Sequence, residues 1–241
     1  MGKNDAAVKR IRGLLEHEPR INLHRHPIAI SVADGAVVLE GEVDSIAAKK
    51  LALELAGSLD GIRGVVDRLR VAPGERKGDG AIRDSLCGIL LRQPEFKTSA
   101  IHVVAKGRSE ALREVGDEGS GRIELTVDDG VITLEGEAIS LSHKRIAGVL
   151  AWWTPGCRDV INSLAVVPPQ EDNDDEVVDA LRVVLAMDPF VHAEQITARC
   201  RNYVVTLEGL VRTEDERRRA DFDTWALFAV DNVVNRIEVR A

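Results

Sequence analysis

One five-residue pattern occurs three times in this chain, and its spacing constrains the fold more than any other feature. The copies are Val37-Val38-Leu39-Glu40-Gly41, Ile132-Thr133-Leu134-Glu135-Gly136 and Val205-Thr206-Leu207-Glu208-Gly209. Each is an apolar strand closed by a glycine, the residue that needs no Cβ clearance at a turn or bulge. A valine follows each glycine 24 residues later: Val65, Val160 and Val233. Four residues before that valine stands a small residue (Gly61, Gly156, Ala229), and two after it Asp67, Asn162 or Asn235. A fixed period of this kind marks an internal repeat. The chain is therefore three units, where its 241 residues alone would allow one or two domains.

The residues between the landmarks repeat as well. Each unit opens with apolar positions at i, i+4, i+7 and i+8, one face of a helix. These are Ala7, Ile11, Leu14 and Leu15, then Ile82, Leu86, Ile89 and Leu90, then Val177, Leu181, Val184 and Leu185. Each helix stops before a proline (Pro19, Pro94, Pro189) and has an aspartate near its start (Asp5, Asp79, Asp174) suited to an N-cap. A strand follows, alternating in the first two units, then a tight turn at Asp34-Gly35, Asp129-Gly130 or Arg201-Asn202, then the signature strand. Ser45, Ser140 and Thr213 are good N-cap residues for a second helix, and a last apolar strand spans 65–71, 160–166 and 233–239. Strands joined by a helix lie parallel, with a right-handed crossover. The expected unit is thus αββαβ: α+β, two-layered, with two helices on one face of a mixed three-stranded sheet.

These landmarks place the units at 1–73, 79–167 and 174–241, joined by a charged, Gly-rich linker at 73–80 and a Pro-stiffened one at 168–173. The second unit carries an insertion at about 104–122. Its polar, glycine-rich middle reads as a mobile surface loop with one helical turn over 110–115.

Charge divides unevenly. Residues 1–78 carry 13 basic and 11 acidic groups, residues 79–168 carry 10 and 13, and residues 169–241 carry 9 and 16. A net-acidic chain is no general polyanion binder, so nucleic acid is not expected as a partner. The N-terminal residues show no secretory h-region, and no run reaches the roughly 20 apolar residues of a membrane-spanning helix. Cys87, Cys157 and Cys200 have no regular spacing. An odd, irregular set reads as thiols in a reducing compartment. The expectation is the cytoplasm, or the periplasm if an export signal has been removed.

The sequence resembles the BON domain of bacterial osmotically inducible and nodulation proteins. The residues that carry the likeness are the Asp-Gly turn, the V-x-L-x-G strand, the capped helix and the closing segment. That segment is Gly61-Ile62-Arg63-Gly64-Val65-Val66-Asp67-Arg68-Leu69-Arg70-Val71 in the first copy; 155–166 matches nearly as well, and 230–239 keeps the strand but loses the glycine. The resemblance implies non-catalytic αββαβ modules, mostly of envelope proteins, proposed to bind phospholipid surfaces and found in osmotic-stress and pore-associated proteins.

No catalytic constellation, metal motif or cofactor fingerprint accompanies the repeat. His17, His24 and His26 cluster between the first helix and first strand, but no cysteine or H-E-x-x-H pattern supports them as ligands. Gly61-Ile62-Arg63-Gly64 is a GxxG between a helix and a strand and reads as backbone punctuation. Lys3, Lys9, Arg10 and Arg12 form the best basic patch, either a contact for anionic lipid headgroups or an ordinary solvated face. On the outer face of the second helices, the first unit has Glu54 and Gly57 where the others have Val149, Trp152, Phe222 and Trp225. Those four are expected to dock the second unit on the third, with a membrane-facing or partner-facing patch as the alternative. Arg219 and Asp223 fall at core-type positions, which suggests a rotation of the last helix. The expected partner is a protein or an anionic membrane surface.

Overall fold

The computed structural model describes residues 3–116 and 120–240. The chain divides into two compact bodies, Met1–Ala72 and Pro73–Ala241. The first body is one αββαβ unit: α1 (Lys3–His17), β1 (Ile28–Ala33), β2 (Ala36–Val43), α2 (Ile46–Gly57) and β3 (Gly64–Val71). The second body holds two more. One is α3 (Asp79–Arg92), β4 (Ala100–Ala105), β5 (Arg108–Arg113), β6 (Arg122–Asp128), β7 (Val131–Ala138), α4 (Leu141–Trp153), β8 (Asp159–Asn162) and β9 (Ala165–Val166). The other is α5 (Asp174–Met187), β10 (Ile196–Arg201), β11 (Val204–Val211), α6 (Glu214–Ala226) and β12 (Asn232–Val239).

The sheets explain the signature glycines. Within each unit the hairpin is antiparallel, and the same register pairs Ile28 with Gly41, Ile123 with Gly136 and Ile196 with Gly209. The last strand then lies parallel to the signature strand. All three glycines have positive φ, at 145°, 113° and 153°. A Cβ on Gly41 would stand 2.8 Å from the Pro27 carbonyl oxygen, and on Gly136 or Gly209 it would collide with the carbonyl of Arg122 or Gln195. The glycine thus marks a close approach of two backbones.

Other recurrent contacts tie helices to sheet. Ser45, Ser140 and Thr213 accept hydrogen bonds from the backbone N–H three residues on, at 3.1, 3.2 and 3.1 Å. Such caps are worth about 1 kcal/mol each. Asn162 and Asn235 donate to carbonyls of the second helix, at Lys144 and Arg217. In the first unit Asp67 stands at that place and pairs instead with buried Lys49 at 2.7 Å, while the ammonium also donates to the Leu69 carbonyl. Among the described residues the core is aliphatic apart from Phe96 and Trp225, each 1% exposed, and the thiols of Cys87 and Cys157.

Four expectations need correction. The insertion is not a loop with a helical turn: β4 and β5 form a hairpin, and β4 runs parallel to β6, giving strand order β5-β4-β6-β7-β8. Lys106 and Gly107, at φ 52° and 72°, make the two-residue turn that matches strand twist. The last strand of the second unit breaks into β8 and β9, both on β7. The third turn sits at Asn202-Tyr203, one residue later than expected, with both residues at positive φ. Finally, Asp79 and Asp174 do not act as N-caps. Their carboxylates accept the turn N–H groups of Asp129 and Gly130 and of Asn202 and Tyr203, so helix start and hairpin turn are stapled together. The true cap of α5 is Asn173, which accepts from Asp175 and Glu176.

Candidate functional site

Two places concentrate unusual side chains. The first is α1. Ile11 and Leu15 are fully buried, which turns Lys9, Arg10 and Arg12 to solvent; Leu14, expected on the inner face, is 37% exposed. Lys9, Arg10 and Arg12 have no ion-pair partner among the described residues, and the side chain of Lys3 lies outside them.

The second place is the junction within Pro73–Ala241, where α4 lies against both α5 and α6. Val149 and Trp225 are buried, and Trp152 and Phe222 are half-buried. A polar contact across the junction runs through neighbours of these four. Trp153 donates its indole N–H to Asp223 Oδ1 at 2.8 Å. Asp223 and Asp188 are both fully buried, and Arg219 bonds to Asp188. The Arg219 guanidinium lies between two aromatic rings, 5.8 Å from Trp153 and 5.6 Å from Phe190, and Phe190 is 70% exposed. Burial first, and then the facing Asp188 charge, push the Asp223 carboxyl up to about 8; Trp153 and Arg219 only partly offset them.

A fully buried cation also lies at this junction, whereas the Arg219 side chain is 38% exposed. Arg145 on α4 is fully buried, pairs with Asp172 of the linker and lies 4.6 Å from the Phe228 ring. Nearby, Tyr203 donates its hydroxyl to the Asp172 carbonyl at 3.2 Å. Sequence reasoning did not select Trp153, Asp188, Arg145 or Asp172. Arg219 and Asp223 at core positions were the available signal, because a buried charge demands a partner close by.

The model of the BON domain matches residues 4–73, 108–168 and 173–241. The chain belongs to the BON-domain family. Comparison with curated proteins finds no match. Among solved structures, the C-terminal domain of CdsD, described as the structural protein of the type III secretion system of Chlamydia trachomatis, is 14% identical. That comparison covers 100% of both chains with a TM-score of 0.26. A second CdsD structure is 15% identical over 98% of this chain and 92% of that one, with a TM-score of 0.25. Such TM-scores do not establish a shared arrangement.

The remaining candidates fit structural roles within the BON units. His26 pairs with Asp44 at 3.0 Å, while His17 and His24 are exposed; among the described residues no group of three His, Cys, Asp or Glu is placed to hold a metal. In the GxxG, Gly61 has φ 86° just beyond α2, and Gly64 opens β3. A shallow cleft of about 270 Å³ lies where α3 begins, lined by Arg76, Lys77 and Arg158 but also by Asp79 and Asp129. Those carboxylates are already engaged, Asp79 by the turn N–H groups and Asp129 by Arg158 at 2.7 Å. Burial and a hydrogen bond to Asp174 push the Cys200 thiol up to about 12, which leaves it unreactive. No helix among the described residues is long and apolar enough to cross a membrane.

Proposed function

We propose that this chain is a non-enzymatic binding and adaptor protein whose first BON unit meets anionic phospholipid surfaces, in envelope or stress maintenance, while the other two form an internally docked body. The observation that carries the reading is α1. Lys9, Arg10 and Arg12 stand exposed without acidic partners among the described residues, on the one unit with a net positive charge. Near-surface cations contribute about 1 kcal/mol each toward an anionic leaflet, so three give modest, salt-sensitive adsorption. Vesicle flotation of the full chain tests it. Binding is expected to vesicles containing anionic phospholipid at low salt, not to purely zwitterionic ones, and to be lost in K9E/R10E/R12E. Absence of binding at low salt rejects the reading.

A second reading, a protein–protein scaffold that never meets lipid, draws on the third unit. It carries 16 acidic against 9 basic groups over 169–241 and exposes Phe190, features that suit a protein partner. Flotation separates the two readings, since a scaffold of this charge stays with the unbound fraction in every vesicle composition.

A further inference from the structure

The junction between the second and third BON units holds one acid too many. Asp188 accepts from the Phe190 N–H at 2.9 Å and from Arg219, so each of its oxygens already has a donor. Asp223 uses Oδ1 to accept from Trp153, and its Oδ2 is buried with no donor from the protein. The group that faces Asp223 is Asp188. Two fully buried acids face each other with one arginine beside them, bonded to Asp188 and 38% exposed. With both acids ionised, one carboxylate shut away from water would lack a counter-charge, which is expensive. One proton on Asp223 removes the excess: the carboxyl then donates to Asp188, Oδ2 is satisfied, and the charges of Asp188 and Arg219 cancel.

We propose that the folded protein carries Asp223 as a neutral acid bonded to Asp188, and that losing this proton loosens the third BON unit from the second. The elements packed here each contribute one facing group: Asp188 from the end of α5, Arg219 from α6 itself, and the uncharged indole of Trp153 from α4. No lipid or partner enters the argument, so it stands apart from the function proposed above.

The sign of the pH dependence follows from the proton count. The folded state holds the proton and the unfolded chain releases it in the ordinary carboxylate range. The contribution to stability is complete at low pH, falls as pH rises from that range toward about 8, and is exhausted above it. A single linked proton changes the unfolding constant by at most tenfold per pH unit.

The test titrates the full chain with 13C-labelled aspartate carboxyls, followed by NMR, alongside Asp223→Asn. One carboxyl is expected to titrate near 8, and its signal should vanish in D223N. The asparagine amide can donate to Asp188 and its carbonyl can accept from Trp153, so D223N mimics the protonated acid. Urea unfolding of the second body should weaken from pH 6 to 9 in the parent and stay level in D223N. Hydrogen exchange, corrected for intrinsic rates, should lose about tenfold protection in α4 and α6 between pH 7 and 9, with α1 and α2 unchanged, as expected of a single linked proton. The proposal is overturned if every aspartate titrates in the ordinary range, a result that needs no variant to fold. It is equally overturned if D223N keeps the parent's pH slope or if α4 and α6 protection does not change.

Discussion

α2 and α6 hold the same place in their units, follow the same kind of hydroxyl cap and cross between the same two parallel strands, yet their side chains face opposite fates. α2 leaves Glu54 and Gly57 exposed and buries Lys49, which pairs inside its own unit with Asp67. α6 has Phe222 half-buried and Trp225 buried at the matching positions, and it buries Asp223 against groups from α4 and α5. Eight of the thirteen residues of α6 are charged, so the helix forms through its cap, its ion pairs and its neighbours rather than through an apolar stripe. The backbone follows the repeat in both, whereas the matching side chains differ in how much water they meet.

The largest expected effect comes from removing the feature that distinguishes them. Trp225→Ala should destabilise the second body by about 3–5 kcal/mol in chemical denaturation, a full aromatic cavity. Gly57→Ala at the matching place should change the first by less than about 0.5 kcal/mol, because its Cβ would meet only Val65 at an ordinary 3.5 Å. Equal effects would dissolve the comparison. Next in size, Lys49→Met removes the ammonium that pairs with Asp67 and donates to the Leu69 carbonyl, leaving Asp67 only the Leu69 N–H and the carbonyl only Arg70 Nη1. Asp67 keeps 32% of its side-chain surface in solvent, so about 2 kcal/mol is expected rather than the full cost of breaking a buried pair. Smaller again, Ala229→Gly should stabilise the third unit by about 1 kcal/mol, since Ala229 is held at φ 62° where the other units have Gly61 and Gly156. Gly61→Ala should lose a similar amount. The smallest effect is at the acid end. Burial alone would raise the Glu216 carboxyl, but the backbone N–H groups of His192 and Arg212 and the His192 ring hold it below its usual value. Its contribution is present above the ordinary carboxylate range and lost as pH falls through the folded value, opposite in sign to Asp223. Thermal melts of Glu216→Gln should therefore show a shallower loss of stability below about pH 4.5.

Much of the fold could be read from the residues because the determinants are local and written three times. Gly41, Gly136 and Gly209, the hydroxyl caps and the helix faces each follow from a short spacing. The insertion was misjudged because Lys106-Gly107 is a weaker turn signal than Asp-Gly and because β5 is exposed along most of its length. The third turn slipped by one residue because no glycine marks it; the Asp174 carboxylate, bonded to the Asn202 and Tyr203 N–H groups, supports positive φ there instead. The junction was legible only as an anomaly. Arg219 and Asp223 looked misplaced on a helical wheel, but Asp188 and Trp153 are remote in sequence, and only tertiary packing brings them to the same spot.

The staple from Asp79 to Gly130 encloses a far longer stretch of chain than its counterpart from Asp174 to Tyr203, with separations of 51 and 29 residues. The difference is the length of the β4–β5 hairpin and its approaches. Closing the longer loop costs only about 0.5 kcal/mol more in chain entropy, because that cost grows with the logarithm of length. Added strands at this spot are therefore nearly free in polymer terms, and a unit that gains them widens its sheet without weakening the link that sets helix against hairpin.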